Sequence, residues 1–346
     1  MKNLFVCHTQ AHLILATGLS YGRFCNDENH LILFRDFNLT DTLVEKLKVI
    51  FSTTLFLTGI YPSENQSFKA RLRWYREDYN LLCRTVTKSY DRVFAVCDWT
   101  PPVQYCLKRC FDLNDKTEFN WLEDGILSYF PNIEATTGTE RFKLTKFLRK
   151  VFFKYITRIG HIYERDFNAM GGLKVFKKMY TLYPEAVREP YKSSRELIRI
   201  SDYEYFTGIS QLYDRQNIEI EPNSILLLMD KLDTYQYPEK VKAVIKEIKI
   251  LAKKEGRKIY CKLHPREESQ WDEFGDFIML NKIIGVESLY LSMIELKHTL
   301  QIYGFKSAGL MSAKKMGFCV NSVFLRCGEA NQNLQSFFAL LGIAFK

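Results

Sequence analysis

The sequence predicts an α/β fold with two parallel sheets, and two observations support this class. Short apolar runs alternate with amphipathic stretches over the first 125 residues, and the same alternation begins again near Ser224. Strands and helices that alternate along a chain form parallel sheets covered by helices. With 346 residues, 47% of them hydrophobic, the chain is long enough for two domains with separate cores.

The first domain is predicted over residues 1–130 as a Rossmann-like lobe. Amphipathic segments such as Asp41–Phe51 and Phe68–Thr87 lie between its strands. The predicted strands are Asn3–Cys7, His30–Phe34, Thr54–Leu57, Arg92–Cys97 and Glu118–Leu122.

A second Rossmann-like lobe is predicted over residues 223–346, and a basic helical connector over residues 131–222. The second lobe is expected to contain strands at 225–229, 258–263, 277–280 and 299–303, and helices at 238–254, 288–296 and from Ala308. This pattern predicts two lobes with a cleft between them, and ligands at the carboxyl ends of the strands.

The formal net charge of +9 is concentrated in residues 141–178, which contain eleven basic and two acidic side chains. Aromatic residues are interleaved with the basic ones. This mixture suits an anionic membrane surface or an acidic glycolipid, and it equally suits a solvated helix face in a connector. Nucleic acid is not expected as a partner, because no recognised binding motif accompanies the charge.

The cysteines and the apolar runs indicate a cytoplasmic protein. The nine cysteines have no repeated spacing and several lie in apolar runs, as expected for buried thiols in a reducing compartment. The apolar start is too short for a signal peptide, and no stretch approaches the roughly 18 apolar residues that suggest a membrane span.

The first candidate site is the Glu123-Asp124-Gly125 triplet at the end of a predicted strand. A glycine after two acids permits an unusual turn that would direct one carboxylate into the predicted cleft as a general base. The alternative is an ordinary Asp-Gly turn.

The second candidate site is Lys262-Leu263-His264-Pro265-Arg266, also at a strand end. Proline restrains the chain after His264, whose imidazole can donate a proton or a hydrogen bond to a leaving phosphate, and the basic side chains would attract that anion. A surface-turn histidine is the alternative.

The third candidate site is the turn Lys306-Ser307-Ala308-Gly309 between a strand and a helix. Open backbone amides and the Ser307 hydroxyl could bind a phosphate, and the same serine could act as the helix N-cap.

A metal site is not expected. His8 and His12 have a spacing of four residues, but no glutamate follows His8 and no third ligand is apparent. The chain contains no Asp-x-Asp pair, no dinucleotide signature, no Walker loop and no Gly-x-Ser-x-Gly elbow.

Together, the carboxylate pair before Gly125, the His264-Pro265 pair and the Ser307 turn resemble the bacterial sialyltransferases of GT-B type. The opening Phe5-Val6-Cys7-His8-Thr9-Gln10-Ala11-His12-Leu13 also looks like the start of the lipooligosaccharide sialyltransferase and polysialyltransferase families, that is, glycosyltransferase family 52 or a relative.

This resemblance implies an inverting transfer of sialic acid from CMP-sialic acid to a glycan hydroxyl, without a metal or other cofactor. It implies that Glu123 is the base with Asp124 beside it, that His264 is the acid and that Ser307 binds the phosphate. Lys262 and Pro265 would also contact the donor. In some of these families the base lies elsewhere, and Asp230 or Asp233 would then replace it.

One position departs from the family pattern, in which two hydroxyl residues are frequent in the third motif. Ala308 follows Ser307 here, so phosphate binding would depend more on backbone amides, Ser312 or Lys306. Two other functions remain open: a GT-B transferase for another activated sugar, such as Kdo or a UDP-hexose, and a non-catalytic protein that binds a glycan or a membrane surface. The acceptor would be a surface glycan such as lipooligosaccharide or capsule, and a lipid-linked acceptor would place the protein at the inner face of the membrane.

Overall fold

The chain forms two compact units, Met1–Leu212 and Tyr213–Lys346, in a computed structural model. It describes residues 1–59, 66–129, 148, 151–152, 155, 158–160, 162, 164–167, 169–265, 267–268, 271–328 and 331–346. Each unit contains one parallel sheet with helices between its strands, which confirms the predicted α/β fold class.

The first unit has a seven-stranded sheet in the order β3-β2-β1-β4-β5-β6-β7, in which all neighbours are parallel. The strands are β1 (Lys2–Cys7), β2 (Glu28–Phe34), β3 (Thr53–Leu57), β4 (Arg92–Ala95), β5 (Glu118–Leu122), β6 (Phe176–Thr181) and β7 (Glu196–Arg199). The helices are α1 (Gln10–Tyr21), α2 (Asp41–Ile50), α3 (Phe68–Thr85), α4 (Pro101–Leu113), α5 (Tyr191–Ser194) and α6 (Asp202–Leu212). The strand order reverses between β1 and β4, which is where open α/β sheets bind ligands.

The second unit has a six-stranded parallel sheet in the order β10-β9-β8-β11-β12-β13. The strands are β8 (Ile225–Leu228), β9 (Ile259–Lys262), β10 (Ile278–Met279), β11 (Gln301–Gly304), β12 (Cys319–Ser322) and β13 (Ala344–Phe345). The helices are α7 (Pro238–Lys254), α8 (Val286–Ser292), α9 (Gly309–Lys315) and α10 (Gln332–Leu340). Here the order reverses between β8 and β11.

The predicted helical connector at 131–222 is wrong for its last part. Residues 176–212 add β6, β7 and α6 to the first unit, so the boundary between the units lies after Leu212. The reason is visible in β6, where Lys177 and Lys178 interrupt a strand whose remaining side chains are buried. Basic character alone did not distinguish a charged strand from a helix.

Close packing of α1 against α6 fixes the position of α1. A Cβ atom on Gly18 would lie 2.0 Å from the Glu204 carbonyl oxygen, and one on Gly208 would lie 2.0 Å from the Ile14 carbonyl oxygen. Only glycine permits the two helix backbones to approach this closely. This packing fixes the position of α1, which begins directly after β1 at the carboxyl edge of the first sheet.

Two elements of the second unit show why its core could be predicted. All four side chains of β8 are buried, as expected for a strand covered on both faces of a parallel sheet. Helix α7 buries Val241, Val244, Ile245 and Ile248, a helical spacing that identifies one apolar face. In the described part of the chain, no helix is both long and apolar enough to cross a bilayer.

Candidate functional site

Polar side chains gather at the carboxyl edge of the first sheet, around the reversal between β1 and β4. His8 follows β1, Asp36 follows β2, Cys97 follows β4 and Asp124 follows β5. They form two hydrogen-bonded groups, one centred on Asp124 and one on His8. This edge is where the strand order predicts a ligand site.

The start of α1 determines which nitrogen of His12 carries the proton. Thr9 caps the helix by accepting a hydrogen bond from the His12 amide at 3.3 Å. In return, His12 Nδ1 accepts from the amides of Thr9 at 3.2 Å and His8 at 3.3 Å. Because Nδ1 acts as an acceptor, the proton of the neutral ring lies on Nε2, and Nε2 donates to Asp124 Oδ1 at 2.8 Å.

Asp124 is the partly accessible member of the carboxylate pair, with 20% of its side chain exposed. Its Oδ2 lies 3.3 Å from the Cys97 thiol, which donates to it. Burial raises the pKa of Asp124, but the hydrogen bonds from His12 and Cys97 outweigh burial and bring the pKa below the ordinary aspartate value. Gly125 has φ +56°, so the turn expected after the two acids is present.

Glu123 occupies a different environment and is 98% buried, with a residue exposure of 2%. Its Oε2 accepts hydrogen bonds from Thr181 Oγ1 at 2.8 Å, from the Leu182 amide at 2.7 Å and from the Tyr129 hydroxyl. These donors connect the end of β5 to the end of β6. The contacts indicate that Glu123 stabilises the sheet edge beneath Asp124.

The second group at this edge consists of His8 and Asp36, joined by a 2.8 Å contact from Nδ1 to Oδ2. The His8 ring stacks on Phe34 with centroids 4.3 Å apart, and its Nε2 has no hydrogen-bond partner within the described structure. Burial is the main reason why the pKa of His8 is lowered. Among the residues that the structure describes, no cluster of three or more His, Cys, Asp or Glu side chains could hold a metal ion.

In the second unit, Asp230 organises the turn after β11. It follows β8, and its Oδ2 accepts a hydrogen bond from the Lys306 amide at 3.1 Å. Asp233 instead forms an exposed ion pair with Lys231 at 2.5 Å. These positions make Asp230 part of the support for the Ser307 turn.

The Ser307 turn leaves backbone donors available. Ser307 Oγ accepts from the Gly309 amide at 3.2 Å, so the serine side chain restrains the beginning of α9. The amides of Ser307 and Ala308 have no acceptor among the described residues. Two neighbouring open amides of this kind can bind an anion.

The residues of the His264 motif lie around the end of β9. Lys262 is buried, and its Nζ donates to the Lys282 carbonyl at 3.2 Å; burial lowers the pKa of this lysine. His264 is half-buried and its carbonyl accepts from the Glu267 amide at 2.9 Å, whereas Pro265 is exposed. Arg266 lies outside the described residues.

Glu287 was not singled out by any sequence motif. It is a half-buried acid in the first turn of α8, and its Oε1 accepts a hydrogen bond from Ser312 Oγ at 2.9 Å. Burial raises its pKa. Acids are common in the first turn of helices, so its sequence position alone gives no functional signal.

Cys97 and His12 could have been recognised from the sequence by one criterion. Cys97 ends one predicted strand and His12 comes shortly after another, and polar residues at the ends of neighbouring parallel strands meet at one edge. Much of the basic segment 141–178 lies outside the described residues, so its proposed membrane surface stays a prediction.

Comparison with solved structures identifies the fold. The UDP-GlcNAc 2-epimerase of Methanocaldococcus jannaschii matches with a TM-score of 0.57 and 12% identity, over 93% of this chain and 84% of that one. The UDP-GlcNAc 2-epimerase of Neisseria meningitidis matches with a TM-score of 0.52 and 14% identity, over 99% and 92%. The glycosyltransferase VinC matches with a TM-score of 0.52 and 10% identity, over 100% and 86%.

Sequence comparison identifies the family. No curated protein sequence matches the chain significantly. The sequence profile described as Alpha-2,8-polysialyltransferase (POLYST) matches residues 4–319, which include all three candidate motifs. Members of a sialyltransferase family require a nucleotide-sugar donor and a glycan acceptor. The chain therefore belongs to the alpha-2,8-polysialyltransferase family.

Proposed function

We propose that the protein transfers sialic acid from CMP-sialic acid to a glycan hydroxyl in a single inverting displacement. The observation that carries the mechanism is the Asp124 carboxylate, which is partly exposed and held by His12 at 2.8 Å at the ligand-binding edge of the first sheet. Family membership supports the reaction class, and the donor and the mechanism are the proposed part.

Asp124 is assigned as the general base. Its lowered pKa keeps the carboxylate ionised at neutral pH, and its partial exposure allows an acceptor hydroxyl to approach. The family resemblance implies Glu123 instead. The three donors to Glu123 Oε2 and its burial favour Asp124, since a base must reach the proton that it removes.

The second unit is proposed to bind the donor. The open amides of Ser307 and Ala308 would accept phosphate oxygens, and His264 would donate to the leaving phosphate. Glu287 offers a carboxylate for the hydroxyl groups of the nucleotide. Because Lys262 is buried, we assign it no direct contact with the donor. Its proposed contribution is positive charge near the phosphate and support of the end of β9.

The acceptor hydroxyl, CMP-sialic acid, Asp124, His264 and the two amides account for every bond and proton in the proposed transfer. The acceptor oxygen forms a bond to the anomeric carbon of sialic acid while the bond from that carbon to the CMP phosphate breaks. The acceptor proton passes to Asp124, and the charge that develops on CMP is stabilised by His264 and the amides. The absence of an Asp-x-Asp pair from the sequence favours transfer without a metal.

A donor panel tests this proposal. Purified protein is incubated with CMP-sialic acid, CMP-Kdo or UDP-hexoses, each with lactose and with an α2,8-linked disialyl-lactose acceptor, in the presence and absence of EDTA. We expect acceptor-dependent CMP release from CMP-sialic acid alone, unchanged by EDTA. Transfer from another donor, or a requirement for a divalent cation, would contradict the donor or the metal-free mechanism respectively.

A further inference from the structure

Trp99 is an exposed tryptophan two residues after Cys97, whose thiol contacts the proposed base. It is 56% exposed, whereas Trp121 is completely buried and packs against Tyr191 with ring centroids 4.8 Å apart. The described residues make no ring contact or hydrogen bond with the Trp99 indole. An exposed indole at this edge of the sheet offers a flat apolar surface that a ligand can cover.

The backbone on both sides of Trp99 is anchored. Cys97 has φ +48°, an uncommon conformation for a residue with a side chain. Its carbonyl accepts hydrogen bonds from both the amide and the hydroxyl of Thr100, each at 3.1 Å. The tight turn therefore presents Trp99 in a restrained position.

Asp98 anchors the same turn to the interior of the first unit. Its side chain is fully buried and accepts hydrogen bonds from the Gly171 amide at 2.7 Å and the Leu173 amide at 3.0 Å. Arg165 adds an ion pair at 3.1 Å. Because Asp98 points inward and is held this strongly, the neighbouring Trp99 is directed away from the core.

The turn lies next to Asp124. Cys97 touches Asp124 Oδ2 at 3.3 Å, and Trp99 follows Cys97 by two residues, a separation of at most about 7 Å between their Cα atoms. Both residues lie at the carboxyl edge of the first sheet. An acceptor glycan bound along this edge can therefore contact both Asp124 and the indole.

We propose that Trp99 is the stacking platform for the acceptor sugar, which makes it a specificity-determining residue of this enzyme. The inference rests on the proposed function of Asp124 as the base. One face of a pyranose ring exposes mainly C–H groups, and an indole provides a flat, weakly polar surface of matching size. Stacking orients the ring, while the acceptor hydroxyl remains free to face Asp124.

Steady-state kinetics test the platform. Trp99→Ala should raise the acceptor KM about tenfold, the effect of losing roughly 1.4 kcal/mol of stacking. It should leave the donor KM and the slow acceptor-independent hydrolysis of CMP-sialic acid unchanged. Trp99→Phe should recover most of the acceptor affinity, and Trp74→Phe on α3 is the matched control with no expected effect.

A binding experiment without donor separates this inference from the proposed reaction. Lactose and α2,8-linked disialyl-lactose are titrated into wild type, Trp99→Phe and Trp74→Phe while the indole fluorescence is recorded. We expect a saturable change in wild type and Trp74→Phe that is lost in Trp99→Phe. If the change persists in Trp99→Phe, or if neither glycan changes the wild-type spectrum, the platform is wrong whether or not the enzyme transfers sialic acid.

Discussion

The carboxyl edges of the two sheets are built by different means. In the first unit, the hydrogen bonds at this edge join pairs of side chains. His12 and Cys97 both donate to Asp124, and His8 contacts Asp36. In the second unit, side chains mainly accept hydrogen bonds from backbone amides. Asp230 accepts from the Lys306 amide, and Ser307 accepts from the Gly309 amide. The difference shows that the same Rossmann-like scaffold can present either a carboxylate in a defined protonation state or a set of open amides.

This contrast has a chemical meaning under the proposed function. A base needs a fixed pKa and a fixed orientation, which side-chain hydrogen bonds supply. A phosphate site needs several hydrogen-bond donors that point at the anion, and neighbouring backbone amides can supply them. Substitutions at each sheet edge can therefore test whether that edge performs the role assigned to it.

The largest effect is expected at the second edge, from His264→Ala. Removal of the acid should lower kcat about 10²- to 10⁴-fold, because the leaving phosphate loses its proton or hydrogen-bond donor. CMP binding, measured by calorimetry, should change much less than kcat. The exposed His298 provides the control, since His298→Ala should leave both quantities unchanged. Wild-type kcat in His264→Ala would remove His264 from the mechanism.

Glu123→Gln tests the structural role given to the buried acid at the first edge. Weakening the three donor contacts to Oε2 should lower the free energy of unfolding by about 1–3 kcal/mol, measured by urea denaturation. The control is Glu185→Gln, which breaks an exposed pair with Arg199 and should cost less than about 1 kcal/mol. Equal stability losses in the two variants would argue against this role.

Ala308→Pro tests whether open amides bind the phosphate. Ala308 has φ −59°, a value that proline adopts, and the substitution removes one amide donor without adding a charge. CMP binding should weaken about tenfold, whereas Ala308→Gly should bind CMP nearly as well as wild type. Circular dichroism checks that the proline variant is folded. Undiminished CMP affinity in the folded proline variant would place the phosphate elsewhere.

His12→Ala should change a pH profile more than a maximal rate. His12 lowers the pKa of Asp124, so its removal raises that pKa. A base is active when ionised, and the acid limb of kcat/KM should therefore move to higher pH. The profile of Cys97→Ala should move in the same direction but less, because the thiol is the weaker donor. An acid limb that stays in place in His12→Ala would show that Asp124 is not the titrating base.

Much of the fold was predictable because its strands are apolar and its helices amphipathic. Strand β5 and helix α7 have the predicted bounds, Glu118–Leu122 and Pro238–Lys254. Strand β6 was assigned to a helical connector because two lysines obscured its buried residues. The short β12 and β13 were not predicted, since strands of two to four residues provide little periodicity.

The candidate site was predictable in its motifs but not in its contacts. Glu123 and Asp124 are adjacent in sequence. Only the three-dimensional structure shows that Glu123 is hydrogen-bonded to Thr181 and Asp124 to His12. These partners lie 58 and 112 residues away along the chain. No local pattern encodes such separations, so the division of roles within the pair required the fold.

The roles of the two acids are tested most directly by comparing Asp124→Asn with Glu123→Gln in a single-turnover transfer from CMP-sialic acid to an α2,8-linked disialyl-lactose acceptor. Both variants are first shown to be folded at the assay temperature and to bind CMP. We expect Asp124→Asn to lose at least about 10²-fold in rate and Glu123→Gln to remain within about tenfold of wild type. The reverse order would assign the base to Glu123 and contradict the roles derived from the structure.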